Sequence, residues 1–160
     1  MNIGRSDIDW KSLSHNEIDR IIAERIEADN KRIEANGGKK SKRAGYILER
    51  IAEINNLREA DKEAQDGKVK KNRFIRRHNL HPEEDLRALQ LMILTLDFPA
   101  PDYSVMKVRS DAGKVRDIVK QKYFPWRILH HAIMRVIGED IYKSCLLYTS
   151  PSPRDGATSR

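Results

Sequence analysis

Strand-type alternation in this chain is confined to one short region, set among stretches whose apolar residues recur at helical spacing. Residues 103–109 (YSVMKVR) and 114–120 (KVRDIVK) alternate as half-buried strands do. The Ser110-Asp111-Ala112-Gly113 between them has the residues a type I turn favours. A four-residue loop pairs Arg109 with Lys114. Side chains on a strand alternate between faces, so that register puts Lys107, Arg109, Lys114 and Arg116 together on one face. Met106, Val108, Val115 and Val119 fall on the other, with Asp117 as the exception. A five-residue loop mixes the two sets, so the four-residue loop is the expected one. Four cations on one face suit a polyphosphate, either an incoming nucleotide or a nucleic-acid backbone. The plain alternative is the ordinary solvated face of a hairpin covering a core.

Phe124-Pro125-Trp126 then predicts a helix start, with Pro125 near the first helical position, where its missing N–H costs little. Leu129, Ala132, Ile133, Val136, Ile137 and Ile141 form the expected buried stripe, with Arg127 and Arg135 projecting elsewhere. Gly138 interrupts the pattern and marks a weak point or an end.

Upstream, Ser14-His15-Asn16-Glu17 is a capping-box pattern that opens a long helix towards Asn36, with Ile18, Ile21, Ile22, Ile26 and Ile33 as its stripe. Asn36-Gly37-Gly38 stops it. Residues 46–54 read as a second helical stretch. Asn56 with Glu59 reads as a capping pair for a short helix ending near Gly67. The strongest upstream helix begins at His81-Pro82-Glu83-Glu84-Asp85, whose acidic first turn suits the helix dipole. Its stripe is Leu86, Leu89, Met92, Ile93 and Leu96.

Charged residues make up 34% of the 160 and aromatics only 6%, which predicts a small core. The formal charge of +7 favours a polyanionic partner, most simply nucleic acid. Lys68, Lys70, Lys71, Arg73, Arg76 and Arg77 cluster around Phe74, either as contacts to an RNA backbone, where each neutralised phosphate releases counterions, or as a solvated linker. A single cysteine excludes an internal disulfide framework, and a cytoplasmic location is expected. No stretch approaches the ~20 apolar residues of a membrane span. His130 and His131 point about 100° apart on a helix and do not make a metal clamp. No G-x-S-x-G, P-loop or H-E-x-x-H occurs.

Residues 55–144 resemble the N-terminal fingers region of a reverse transcriptase, of the bacterial retroelement type found in diversity-generating retroelements, retrons and group II introns. The resemblance is carried by Gly113-Lys114-Val115-Arg116, by the block from Tyr123-Phe124-Pro125-Trp126-Arg127 to His130-His131-Ala132-Ile133-Met134, and by Val136-Ile137-Gly138-Glu139-Asp140-Ile141-Tyr142. Asn56-Leu57-Arg58-Glu59-Ala60 with Gly67-Lys68, and Asp85-Leu86 through Leu89-Gln90, are weaker matches. The resemblance implies an RNA-directed DNA polymerase, a nucleotidyltransferase, whose partners are an RNA template, a DNA primer and a deoxynucleoside triphosphate. By that resemblance Arg109 and Arg116 contact the triphosphate, with Lys107 and Lys114 beside them, because the planar guanidinium donates two parallel hydrogen bonds to phosphate. Arg127 takes a template-side or organising role by the same resemblance, while Lys70, Lys71, Arg73, Arg76 and Arg77 are nucleic-acid candidates from their charge cluster alone.

Polymerase chemistry needs two divalent metals held by carboxylates. Reverse transcriptases use an aspartate on one palm strand and a Y-x-D-D turn on another, and the sequence contains no Asp-Asp pair. Mg2+ is therefore expected in the full-length parent only, with no catalytic residue in this chain, which should be inactive alone. Residues 145–160, crowded with Ser, Pro, Thr and Gly, resemble translated adapter sequence, with a natural flexible tail as the alternative. The expected architecture is α+β and mostly α. Residues 1–54 form a helical extension, residues 55–144 an incomplete fingers region without a palm, and residues 145–160 a tail outside the fold. A small basic helical RNA-binding protein without enzymatic activity is the alternative function, and a mostly unfolded fragment is the third.

Overall fold

A computed structural model of the protein describes residues 8–38, 45–67, 72–100, 103–109 and 113–146. Among them the chain forms α1 (His15–Ala35), α2 (Ile47–Ala52), α3 (Ile54–Gln65), α4 (Arg73–His78), α5 (Pro82–Thr95), β1 (Tyr103–Arg109), β2 (Val115–Gln121) and α6 (Ile128–Leu146). The fold is α+β and mostly α, with one two-stranded antiparallel sheet.

Local chemistry accounts for the ends of α1 and α5. Ser14 Oγ accepts from the Glu17 amide at 3.4 Å, and the Glu17 carboxylate accepts from the Ser14 amide at 2.9 Å, completing the expected box. Gly37 (φ 67) takes the left-handed conformation that ends α1, which glycine adopts without steric cost. Pro82 and three acidic residues open α5. That helix closes on Leu96 at φ 56, so Leu96 leaves the expected stripe and is 60% exposed. Asn56 and Glu59 do not form the expected cap, because α3 already begins at Ile54. Asn56 lies inside its first turn and donates through Nδ2 to the carbonyls of Ile51 (3.1 Å) and Ala132 (3.2 Å).

The start of α6 also differs from the expectation. Phe124 is extended (φ −94, ψ 138), as the residue before a proline tends to be, and Tyr123–Arg127 makes a wide turn ahead of the regular helix. The buried line of α6 therefore begins at Ile128 and includes Ala132, while Ile141 is 40% exposed. Gly138 does not stop the helix, which continues to Leu146.

The core is mainly aliphatic, in keeping with the low aromatic content, with Trp10 and Tyr123 as its buried aromatic members. Ile18 and Ile22 of α1 join Leu57 of α3, Ile75 of α4, Leu89 of α5 and Ile128 of α6 in one cluster, so α1 packs on the rest. α3 runs against α6, and the fully buried Ala60, Ala64 and Ala132 permit a close approach. Gln90, fully buried, donates to the Ala52 carbonyl (3.0 Å) and to Asp19 (3.1 Å), which ties α5 to α2 and α1. Arg25 pairs with Glu49 at 2.5 Å and lies 5.6 Å from the rings of both Trp10 and Tyr46. Gly45 sits so close to α1 that a Cβ there would fall 2.6 Å from Asp29 Oδ1.

Candidate nucleic-acid interface

The hairpin does not adopt the four-residue loop. Arg109 pairs with Val115, Lys107 with Asp117, Met106 with Ile118 and Val105 with Val119, so residues 110–114 form a five-residue connection. Cross-strand chemistry explains the choice. The expected register sets Lys107 opposite Arg116 and Met106 opposite Asp117. The observed one sets Lys107 against Asp117, Met106 against Ile118 and Val105 against Val119. It places Arg109 and Arg116 opposite valines instead of opposite other cations, and directly opposed pairs are the unit of sheet stability. Gly113, at φ 73, supplies the left-handed residue that such a loop uses.

This register splits the four cations. Lys107 and Arg109 share a face with Val115, Asp117 and Val119. Arg116 lies on the other, with Met106, Val108, Ile118 and Lys120. Lys114 is in the turn. The apolar residues divide as well, and neither face becomes a core: Val105, Val115 and Val119 are 63%, 58% and 59% exposed. Each strand packs extensively only on the other, so the hairpin stands out from the helices.

At the root of the hairpin a groove of about 1440 Å³ opens between the end of β2, the start of α4 and one side of α6. Its α6 side is lined by His130, Met134, Gly138 and Tyr142, four residues apart and so on one helical stripe, with His131 beside them and Arg127 just ahead of the helix. With a rise of 1.5 Å per residue the stripe is about 20 Å long. Lys120 and Lys122 contribute from β2 and its exit, and Arg73 and Phe74 from α4, where the Arg73 guanidinium lies 4.9 Å from the Phe74 ring centre. Glu139 is the acidic member of the lining. The volume exceeds the roughly 300–1,000 Å³ usual for small-molecule pockets.

Beneath the groove lies a buried polar cluster. His78 is 3% exposed, and both its ring nitrogens face carboxylates. Nδ1 is 2.7 Å from Asp85 Oδ2, and Nε2 is 3.2 Å from Asp61 Oδ1, an ion pair angled away from the N–H direction. The Tyr123 hydroxyl donates to Asp61 Oδ1 at 2.5 Å, and Gln65 donates to Asp61 Oδ2 at 2.8 Å. The Phe124 ring stacks near parallel to His78, with centroids 6.2 Å apart. Burial alone would lower the pKa of His78, but the attraction of Asp61 and Asp85 and the hydrogen bond to Asp85 outweigh it and raise the pKa above its ordinary value. For Asp61 burial acts upward, yet the nearby His78 and the bonds from Tyr123 and Gln65 hold the carboxyl below its usual range.

Of the residues expected to contact nucleic acid, Arg73 and Arg127 meet in the groove. Arg76 and Arg77 are exposed on α4, a short helix anchored by Ile75 and His78 rather than a linker. Lys70 and Lys71 lie outside the described residues, as do Lys68 and the tail from residue 147. Sequence reasoning passed over Lys120 and Lys122, although their place beside Tyr123 was a usable signal. His78 gives no signal in the sequence, because its partners lie on other helices. His131 turns towards Glu63 (3.5 Å), and Arg135 bonds Asn56 and Glu63. Among the described residues no group of three metal-ligating side chains comes together. Comparison with family models, with curated proteins and with solved structures finds no match for this chain.

Proposed function

We propose that this chain is the nucleic-acid-gripping N-terminal part of an RNA-directed DNA polymerase of the bacterial retroelement type, contributing its fingers. The resemblance of residues 55–144 supplies the family, and the basic groove at the hairpin root is the observation that carries the reading. Arg73, Lys120, Lys122 and Arg127 offer phosphate donors there. Arg116 shares a strand face with Lys120, which extends the cationic track along β2. Lys107 and Arg109, on the opposite face, bind phosphates separately from Arg116 and not as one four-cation clamp. In this reading template and incoming nucleotide are held by these side chains. The divalent metals and the polymerising carboxylates belong to the rest of the enzyme, and the chain alone is inactive.

The division of cations between two hairpin faces favours a second reading, a basic RNA-binding protein that embraces a backbone from both sides. Titration of the purified chain with a labelled oligouridylate at several salt concentrations tests the shared element. Affinity should fall steeply with salt, and Arg73→Ala or Arg127→Ala should each reduce the salt slope by about 1. Absence of salt-dependent binding would remove both readings. Coding sequence running on into a palm with a Y-x-D-D turn separates the polymerase from the stand-alone binder, and an independent stop codon would remove the polymerase.

A further inference from the structure

The two sides of the groove are joined beneath its floor by a residue that reaches neither the lining nor solvent. His78 belongs to α4, the helix that brings Arg73 and Phe74 to the groove. Its ring also lies against Tyr123 (centroids 5.4 Å) and Phe124, which follow directly on Lys120 and Lys122. We infer that His78 is a positioning residue whose proton holds the α4 side and the hairpin side of the groove in one arrangement, so that polyanion binding there depends on a buried charge. This rests on the groove being the binding surface proposed above.

Two carboxylates beside one ring, at 2.7 and 3.2 Å, favour its doubly protonated form. A neutral imidazole keeps a single N–H: loss of the proton from Nδ1 would turn a lone pair on Asp85 Oδ2 at 2.7 Å, and loss from Nε2 would remove the charge that attracts Asp61, 3.2 Å away. The charged groups that face His78 are Asp61 from α3 and Asp85 from α5. The Tyr123 phenol reaches the same Asp61 oxygen. With the proton lost, the buried Asp61 and the half-buried Asp85 face a neutral ring, and taking the partner from a buried charge is strongly destabilising. Relief comes most easily by moving α4 or the Tyr123 turn, the least extensively packed of the elements involved. Either movement displaces phosphate donors. Lys and Arg side chains keep their charge through neutral and mildly alkaline pH, so a change in affinity there would not come from their own titration.

The experiment uses the full chain carrying His130→Gln and His131→Gln, which removes the two histidines lining the groove. Oligouridylate affinity is measured by fluorescence anisotropy from about pH 6 to about pH 9, while nitrogen-detected NMR follows the His78 ring. Affinity should drop several-fold as His78 loses its proton. Asp85→Asn should move that drop to lower pH and leave low-pH affinity intact, a shift that a merely structural role would not produce. His78→Gln should bind weakly at every pH. Constant affinity through the His78 titration would overturn the inference, as would a midpoint unmoved by Asp85→Asn. If the chain binds no RNA at any pH, the proposed function fails by itself. The positioning role is then judged by NMR: signals of Phe74, Lys120 and Tyr123 must move with the His78 titration, and their constancy refutes it.

Discussion

Tyr123, at the exit of the hairpin, donates its phenolic proton to Asp61 of α3, 62 positions earlier, at 2.5 Å. Tyr123 is 2% exposed and Asp61 8%, so the bond ties the exit of β2 to the helical body from inside. Its partners His78 and Asp85 extend the tie to α4 and α5.

Replacing Tyr123 by Phe keeps the ring and removes the donor, leaving a buried carboxylate short of a partner. The expected loss is about 1–3 kcal/mol, read from urea unfolding. Tyr103→Phe, at a site 53% exposed, should change stability by less than about 0.5 kcal/mol. Equal effects of the two changes would mean that the Tyr123–Asp61 bond contributes nothing.

Stability should depend on pH in two opposite limbs. The folded pKa of His78 lies above the ordinary 6.5, so its contribution is complete below that value and is lost as pH rises through the raised pKa. That of Asp61 lies below the ordinary 3.8, so its contribution is complete above that value and is lost as pH falls through the lowered one. Asp19, whose own burial is outweighed by bonds from Arg87 and Gln90, adds to the acid limb in the same sense. The urea midpoint should be highest between those two ordinary values and fall on both sides, and His78→Gln should flatten the alkaline limb. An alkaline limb unchanged in that variant would place its origin elsewhere.

Gln90→Leu should destabilise the protein although Leu is apolar and similar in size. It leaves the buried Ala52 carbonyl without the donor now at 3.0 Å and removes one partner of Asp19. An unsatisfied buried acceptor costs about 1–3 kcal/mol. A calorimetric melting temperature at or above that of the parent would show that Gln90 can be dispensed with.

Asp117→Lys tests the hairpin register. Lys107 directly opposes Asp117, so the substitution places two cations face to face and should weaken the strand pair by about 0.2–1 kcal/mol. Amide exchange should quicken along β1 and β2 and stay unchanged in α3 and α5. Under the four-residue loop Lys107 would instead face Arg116, and the same substitution would have little effect on pairing.

How much of this was legible in the sequence varied with the range of the interaction. The capping box at Ser14 and Glu17, the glycine stop at Gly37, the proline-led start of α5 and the existence of the hairpin all depend on residues a few positions apart, and each was readable. The groove was half-legible: Arg73 and Arg127 could be named, but nothing local says that a residue of α4 meets one of α6 across the end of β2.

The amino-acid sequence alone determined the helical character, the single hairpin, the aliphatic core and the excess of positive charge, because those follow from period, composition and local capping. Tertiary structure decided which cations share a face and which histidine is buried. A one-residue change in strand pairing turns alternate side chains over, and cross-strand partners choose between the two registers. His78 acquired its environment from Asp61, Asp85 and Tyr123, which only the packing of three helices and a turn brings within bonding distance.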